Sequence, residues 1–305
     1  MFRFYFIIFV ADLWWAAGFV GARWMMLSYS PLVTNCFRYM AAGLILLPFL
    51  LYRRSFFHGW RDLWPAIAAG GCTFFTLFFN SWGLDLTSVS KASFLTSMYV
   101  VMIPVASVII YRYRYPLKVW GAIVLALLGA FLLCDAQWSA FNVGDLLVLI
   151  SAVFSCGQIM VIGRFVNRSR SPAELCALQI FFAGLIGLGA FCLAPGPTKW
   201  DALLGQTEVG WLPLAGLAIV VLGCTVFASF LQIWAQKRVE STIAGVLFLM
   251  EAPLALFFAW AVFHEQLKPM NYLGCAMMLV ASIVASLEGG RKPAVRKANK
   301  MMKNF

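Results

Sequence analysis

Hydrophobic residues along this chain gather into ten runs of roughly 20 residues, five in each half, with polar and basic positions confined to the gaps between them. A helix of that length crosses a hydrocarbon core about 30 Å thick. The runs lack the strict alternation of barrel strands, and a lipid-embedded backbone must satisfy its own hydrogen bonds, so they are read as helices. The predicted spans in the first half are Phe4–Ala22, Pro31–Tyr52, Leu63–Gly83, Lys91–Tyr111 and Leu117–Cys134. Those in the second half are Gly144–Gly163, Pro172–Ala194, Val209–Ala235, Thr242–Phe263 and Pro269–Leu287.

Pro31, Pro172 and Pro269 fall at helix starts, where a missing N–H costs nothing. Arg53, Arg54, Arg61 and Asp62 mark one loop, and Asn142–Gly144 and Pro195–Lys199 mark two more. The expected units are therefore residues 1–134, residues 144–287 and a basic tail over 288–305 that should be mobile. The fold class is an all-α integral membrane protein.

Composition agrees with this pattern. Of 305 residues, 63% are hydrophobic and 11% charged, and the mean hydropathy is +0.86, which excludes an ordinary soluble domain. The net charge of +11 has a specific distribution. Eighteen of the 23 Lys and Arg fall in the tail or in loops on the face of the termini. Arg23, Lys91, Lys199 and Lys268 fall on the other face, and Arg38 lies inside a span. The positive-inside rule then puts both termini in the cytoplasm. The charge orients the chain and meets anionic lipid headgroups, so no nucleic-acid partner is needed. Asp12 interrupts the first apolar run and no A-x-A site follows, so this run is expected to be a retained span rather than a signal peptide.

The eight cysteines lie within or beside spans without a C-x-x-C pair, and His58 and His264 are isolated. This suggests small apolar packing residues rather than a metal site or disulfide framework, and no cofactor is expected.

The two halves carry a weak internal repeat. Arg38-Tyr39 followed by Gly43 matches Gln179-Ile180 followed by Gly184, and Trp82-Gly83 matches Trp234-Ala235. Pro104 is matched with Pro253, and Gly121 with Gly274. Five spans per repeat, an odd number, force the second half to insert upside down. Two inverted five-helix repeats with a binding site near mid-membrane are a transporter signature.

The chain resembles the ten-helix EamA branch of the drug/metabolite transporter superfamily. The similarity is carried by Trp14-Trp15-Ala16-Ala17-Gly18, Arg38-Tyr39, the stretch from Thr87 through Lys91 to Pro104, and Glu251-Ala252-Pro253 followed by His264-Glu265 and Gly274. The family's usual Glu after span four is replaced by Tyr111-Arg112-Tyr113-Arg114-Tyr115-Pro116, so its role carries over only to Glu265. Matching Pro104 to Pro253 also implies that about one helical turn is missing there, since 17 residues separate Pro104 from Gly121 and 21 separate Pro253 from Gly274.

Asp12, Arg38 and Glu251 are ionisable residues inside spans, each costing about 2.5–3.5 kcal/mol at the bilayer centre on insertion scales. Two readings stand for each of the three. They line a substrate or proton path, or, as with Arg38 paired to an acid, they clamp helices together. Lys91 either binds a substrate carboxylate or snorkels to the interface. Trp15, Phe79, Trp82 and Tyr99, with Trp14, Phe19, Phe78 and Phe248, form a candidate aromatic lining, against the alternative of ordinary packing. Trp60, Trp64, Trp138, Trp200 and Trp211 read as interfacial belt residues.

The expected function is secondary transport of a small-molecule metabolite by alternating access across the cell inner membrane, by a monomer or dimer. No P-loop is present, so proton coupling or exchange would supply the energy. The family resemblance implies export of amino acids or related amphipathic compounds. Import of a nucleotide- or cofactor-like solute, and an intramembrane lipid-modifying enzyme, are the alternatives. Two separated histidines and twelve acids make the enzyme hard to assemble, so the chain is read as a non-enzyme.

Overall fold

Each apolar run becomes a helix because in lipid no other open structure pairs its own N–H and C=O groups. A computed structural model describes residues 2–57, 59–133, 141–193, 208–264, 266–288 and 294–295. Cys134, the 195–199 loop with Lys199, Trp138, Trp200, Glu265, His58 and nearly all of the basic tail lie outside the described residues.

The first half holds α1 (Phe2–Met26), α2 (Pro31–Tyr52), α3 (Trp60–Leu84), α4 (Val89–Thr96), α5 (Tyr99–Tyr111) and α6 (Leu117–Leu133). The second holds α7 (Val143–Phe165), α8 (Pro172–Leu193), α9 (Leu212–Ala218), a π-helical segment (Ile219–Ala228), α10 (Ser229–Gln236), α11 (Ser241–Phe248), α12 (Glu251–Phe263) and α13 (Pro269–Glu288). Among the described residues, nine spans are long and apolar enough to cross a membrane, and the shorter apolar α6 completes ten. A two-residue ribbon pairs β1 (Tyr113–Arg114) antiparallel with β2 (Ala294–Val295).

Packing follows from the inverted repeat. α2 lies against α8 and α6 against α13, each helix beside its own counterpart. α3 packs on α7, and correspondingly α1 packs on the span built from α9, the π segment and α10. Small residues permit these approaches. Gly184 has no room for a β-carbon, which would lie 2.7 Å from the Tyr39 carbonyl, and a β-carbon on Gly129 would lie 2.8 Å from the Gly274 carbonyl.

The structure corrects the repeat alignment in its later spans. α2 and α8 start 141 residues apart, at 31 and 172, as the Arg38–Gln179 match requires. α3 and α9, α5 and α12, and α6 and α13 instead start 152 apart, at 60 and 212, 99 and 251, and 117 and 269. Pro104 is therefore not the partner of Pro253, nor Gly121 of Gly274. No turn is missing either, because α5 and α12 both have 13 residues. Both end on a residue in the left-handed region, Arg112 at φ 55° and His264 at φ 54°. Proline and glycine identities misled because each can sit at several places in an apolar helix, whereas helix ends are fixed by the turns.

Spans four and nine, expected as continuous helices, are each broken in the middle. The breaks fall at Ser97–Met98 and Leu249–Met250, rather than at either proline. In span four the hydroxyls of Thr96 and Ser97 donate to the carbonyls of Ala92 and Ser93 one turn back, at 2.9 and 3.1 Å, an arrangement that bends helices.

Candidate functional site

Arg38, on α2, is the best-anchored charge in the interior. Its Nε donates to Thr225 Oγ1 at 2.6 Å and its Nη2 donates to Cys224 Sγ at 2.6 Å, both on the π segment. The Thr225 hydroxyl in turn donates to the Val220 carbonyl, five residues back, at 2.7 Å. A π-helical turn shifts side chains off the ordinary α register and recurs at functional sites. Here it delivers two acceptors side by side to one guanidinium. Arg38 also lies 5.6 Å from the Tyr39 ring centroid. The expectation that Arg38 pairs with an acid does not hold, since among the described residues it joins no ion pair.

Two acids share its surroundings. Glu251 is within electrostatic reach of Arg38, Asp12, Tyr99 and Cys224. It is only partly buried, and among the described residues its carboxyl accepts no hydrogen bond. Asp12, on α1, is wholly buried, and among the described residues neither of its oxygens has a hydrogen-bond partner. Polar atoms in that condition are costly, so the cluster retains bonding capacity for a ligand, water or a proton.

The 152-residue spacing gives Glu251 a counterpart in the other half. It is Tyr99, and each is the first residue of the helix after a break. The two broken spans thus bring a phenol and a carboxyl together where the repeats meet. Trp15 extends the region with an edge-to-face contact on Phe248, at a centroid distance of 5.4 Å.

The other sequence candidates lie elsewhere. Phe79 stacks on Phe154 of α7 at 5.6 Å, and Phe78 contacts Trp82 at 6.0 Å, within an aromatic cluster that packs α3 on α7. Trp82 is exposed at the end of α3, and Phe19 is exposed on α1. Trp14 covers Gly223, whose missing side chain makes room for the indole. Trp60 and Trp211 are exposed beside their helix starts, while Trp64 packs edge-to-face on Phe165 at 4.5 Å.

Lys91 neither snorkels nor is open to a substrate. It is buried, and its Nζ donates to Asp145 Oδ2 at 2.5 Å. Asp145 also accepts from the Thr87 hydroxyl at 2.6 Å and from the Asn142 backbone N–H at 2.8 Å, while its own N–H donates to Asn142 Oδ1 at 2.9 Å.

Sequence reasoning passed over Asp145, Cys224 and Thr225. Asn142-x-x-Asp145 is a reciprocal capping pattern at a helix start, which signals the first. Gly71-Cys72-Thr73 and Gly223-Cys224-Thr225 are an exact repeat 152 residues apart, which signals the others. The halves use it differently. Gln179, the counterpart of Arg38, is buried, and among the described residues neither of its amide atoms has a hydrogen-bond partner.

On the face of the termini, the Tyr115 hydroxyl donates to Glu240 Oε1 at 2.9 Å and accepts from Thr242 Oγ1 at 2.9 Å. Glu240 Oε2 caps α11 by accepting from Thr242 N–H at 2.8 Å. Burial pushes the Glu240 carboxyl above its usual range, against these hydrogen bonds, and raises the Tyr115 phenol as well.

This architecture has known relatives. An uncharacterized transporter of Archaeoglobus fulgidus is 31% identical over 273 residues, covering 90% of this chain and 82% of the relative. One of Methanothermobacter thermautotrophicus is 24% identical over 214 residues, covering 68% and 59% respectively. The GDP-mannose transporter GONST5 of Arabidopsis thaliana is 23% identical over 184 residues, 56% of this chain and 50% of its own length. A solved crystal structure superposes with a TM-score of 0.78 at 18% identity, covering 95% of this chain and 98% of its own, which supports the fold alone. The model of the EamA-like transporter family matches twice, at residues 3–134 and 142–287, and the chain belongs to that family, within the drug/metabolite transporter superfamily.

Proposed function

We propose that this membrane transporter moves a small amphipathic metabolite by alternating access, driven by proton coupling or solute exchange. The observation that carries the reading is the partly buried Glu251 carboxyl, which among the described residues accepts no hydrogen bond, set beside the anchored Arg38 and an Asp12 carboxyl that likewise has no hydrogen-bond partner among them. Charged groups held open at the meeting of inverted repeats are what a transported polar solute would complete. Arg38 offers its remaining guanidinium N–H groups to an anionic group, Glu251 and Asp12 face a cation or carry a proton, and Trp15, Tyr99 and Phe248 supply apolar contact.

The distribution of Lys and Arg supports an inner-membrane orientation with both termini in the cytoplasm, and the family resemblance supports export of amino acids or related compounds. The Arabidopsis relative's name supports a second reading, a nucleotide-linked solute. The test is thermal stabilisation of the purified protein by amino acids, nucleosides, polyamines and nucleotide sugars, followed by flux of any hit in proteoliposomes. A ligand of the native state raises the melting temperature by mass action. Stabilisation that disappears in Glu251→Gln, together with flux, is the expected result. A hit that binds without flux would refute transport, and one indifferent to Glu251→Gln would remove Glu251 from the site.

A further inference from the structure

We propose that Lys91 and Asp145 form an ionic latch that closes the transporter on the face away from the termini, and that the pair breaks when that face opens. The inference rests on the alternating-access reading, because such a cycle requires contacts between the repeats to separate at one end at a time.

The latch is built on parts that can move separately. Lys91 stands on α4, the half of span four that precedes the break at Ser97–Met98. Asp145 stands in the first turn of α7, the opening helix of the second repeat. Around the ion pair, Thr87 and the Asn142 backbone donate to the same carboxylate, and Asn142 Nδ2 donates to the Leu86 carbonyl at 3.2 Å. Below it α3 and α7 close tightly, since a β-carbon on Gly83 would lie 2.8 Å from the Gly144 carbonyl. The Asp145 carboxylate thus joins segments that lie 54 and 58 residues away in sequence.

The opposite end is closed by different chemistry at the equivalent positions, which lie beside the hydrogen bonds of Tyr115 with Glu240 and Thr242. The repeat spacing of 152 places Ile243 where Lys91 stands, and the spacing of 141 places Phe4 where Asp145 stands. Ile243 is buried and Phe4 packs into the same apolar cluster. An apolar closure gains from being dry, whatever the partner. An ion pair gains little from burial over hydration, because desolvation offsets most of its attraction, yet leaving one charge buried alone is costly. The latch is therefore specific when shut and inexpensive to open into water, where both charges are rehydrated together.

Hydrogen exchange of the full chain in lipid nanodiscs tests this with Lys91→Met and Lys91→Arg. Lys91→Met keeps the apolar stem and leaves Asp145 its Thr87 and Asn142 donors, which preserves the fold. Amides of residues 86–96 and 142–150 should exchange at least about tenfold faster, while those of 239–249 slow as the other end closes. Lys91→Arg should restore the wild-type pattern. Unchanged exchange near residues 86–96 in Lys91→Met overturns the latch, and so does equal acceleration at both ends that Lys91→Arg fails to reverse. Acceleration confined to the latch end, with residues 239–249 unaffected, supports the latch and overturns the alternating coupling on which the proposed function stands.

Discussion

The seam between α1 and span eight is where packing bears most directly on the charged centre, and Gly216→Ala is the perturbation that probes it. A β-carbon at Gly216 would lie 2.4 Å from the Gly21 carbonyl and 3.2 Å from both the Met25 N and Cγ, with most of that obstruction being backbone. The same seam repeats at Gly21, whose β-carbon would lie 2.8 Å from the Gly216 carbonyl, and at Gly18, 2.7 Å from Cys224 Sγ. Ordinary contact begins near 3.4 Å, so the helices must separate by about 1 Å, a backbone shift of the kind that costs 1–3 kcal/mol in packed cores. Backbone cannot rotate away as a side chain can, so the cost should lie near the upper end, about 2–3 kcal/mol. Gly121→Ala is the matched control, since nothing lies within 4 Å of its β-carbon, and it should change stability by no more than about 1 kcal/mol, in the stabilising direction. The assay is reversible unfolding in mixed micelles, read as a free-energy difference for each variant. Because Cys224 and Thr225 belong to the same span, Gly216→Ala should also weaken any ligand that needs Arg38. Two variants within about 0.5 kcal/mol of each other would refute the reasoning.

Two further outcomes follow from helix ends. Glu240 has a raised carboxyl pKa in the fold, so the folded state holds its proton more tightly than the unfolded chain and stability is lost as pH rises through the folded value. Glu240→Gln keeps one acceptor oxygen for Tyr115 but sets an amide NH2 where Oε2 caps α11, so it should cost about 1 kcal/mol near pH 4, a deficit that shrinks as pH rises to about 8 and the wild type loses stability, as measured by melting temperature against pH. His264 ends α12 with φ 54°, a conformation that costs a residue bearing a β-carbon about 1 kcal/mol, so His264→Gly should raise stability by about that amount in the same unfolding assay.

Much of this protein was legible in the order of its residues. The ten runs, the division into five and five, and the matched positions of Arg38 and Gln179 could be read because a lipid-embedded chain has few choices: every span must be long, apolar and helical. Asp12, Arg38 and Glu251 stood out for the same reason, as charges that hydrocarbon does not tolerate alone.

Partnership was decided only in three dimensions. Lys91 and Asp145 lie 54 residues apart, and Arg38 and Thr225 lie 187 apart, with nothing local to join them. The two helix breaks were hidden because Ser97–Met98 and Leu249–Met250 carry neither proline nor glycine, and the back-bonded hydroxyls of Thr96 and Ser97 mark only the first of them. The π segment was equally invisible, since its residues suit an α-helix and only the Arg38 contact reveals what the altered register does. Sequence determined which groups had to be inside, through the cost of burying them. Tertiary structure decided which of those groups meet, because that depends on how two upside-down halves pack.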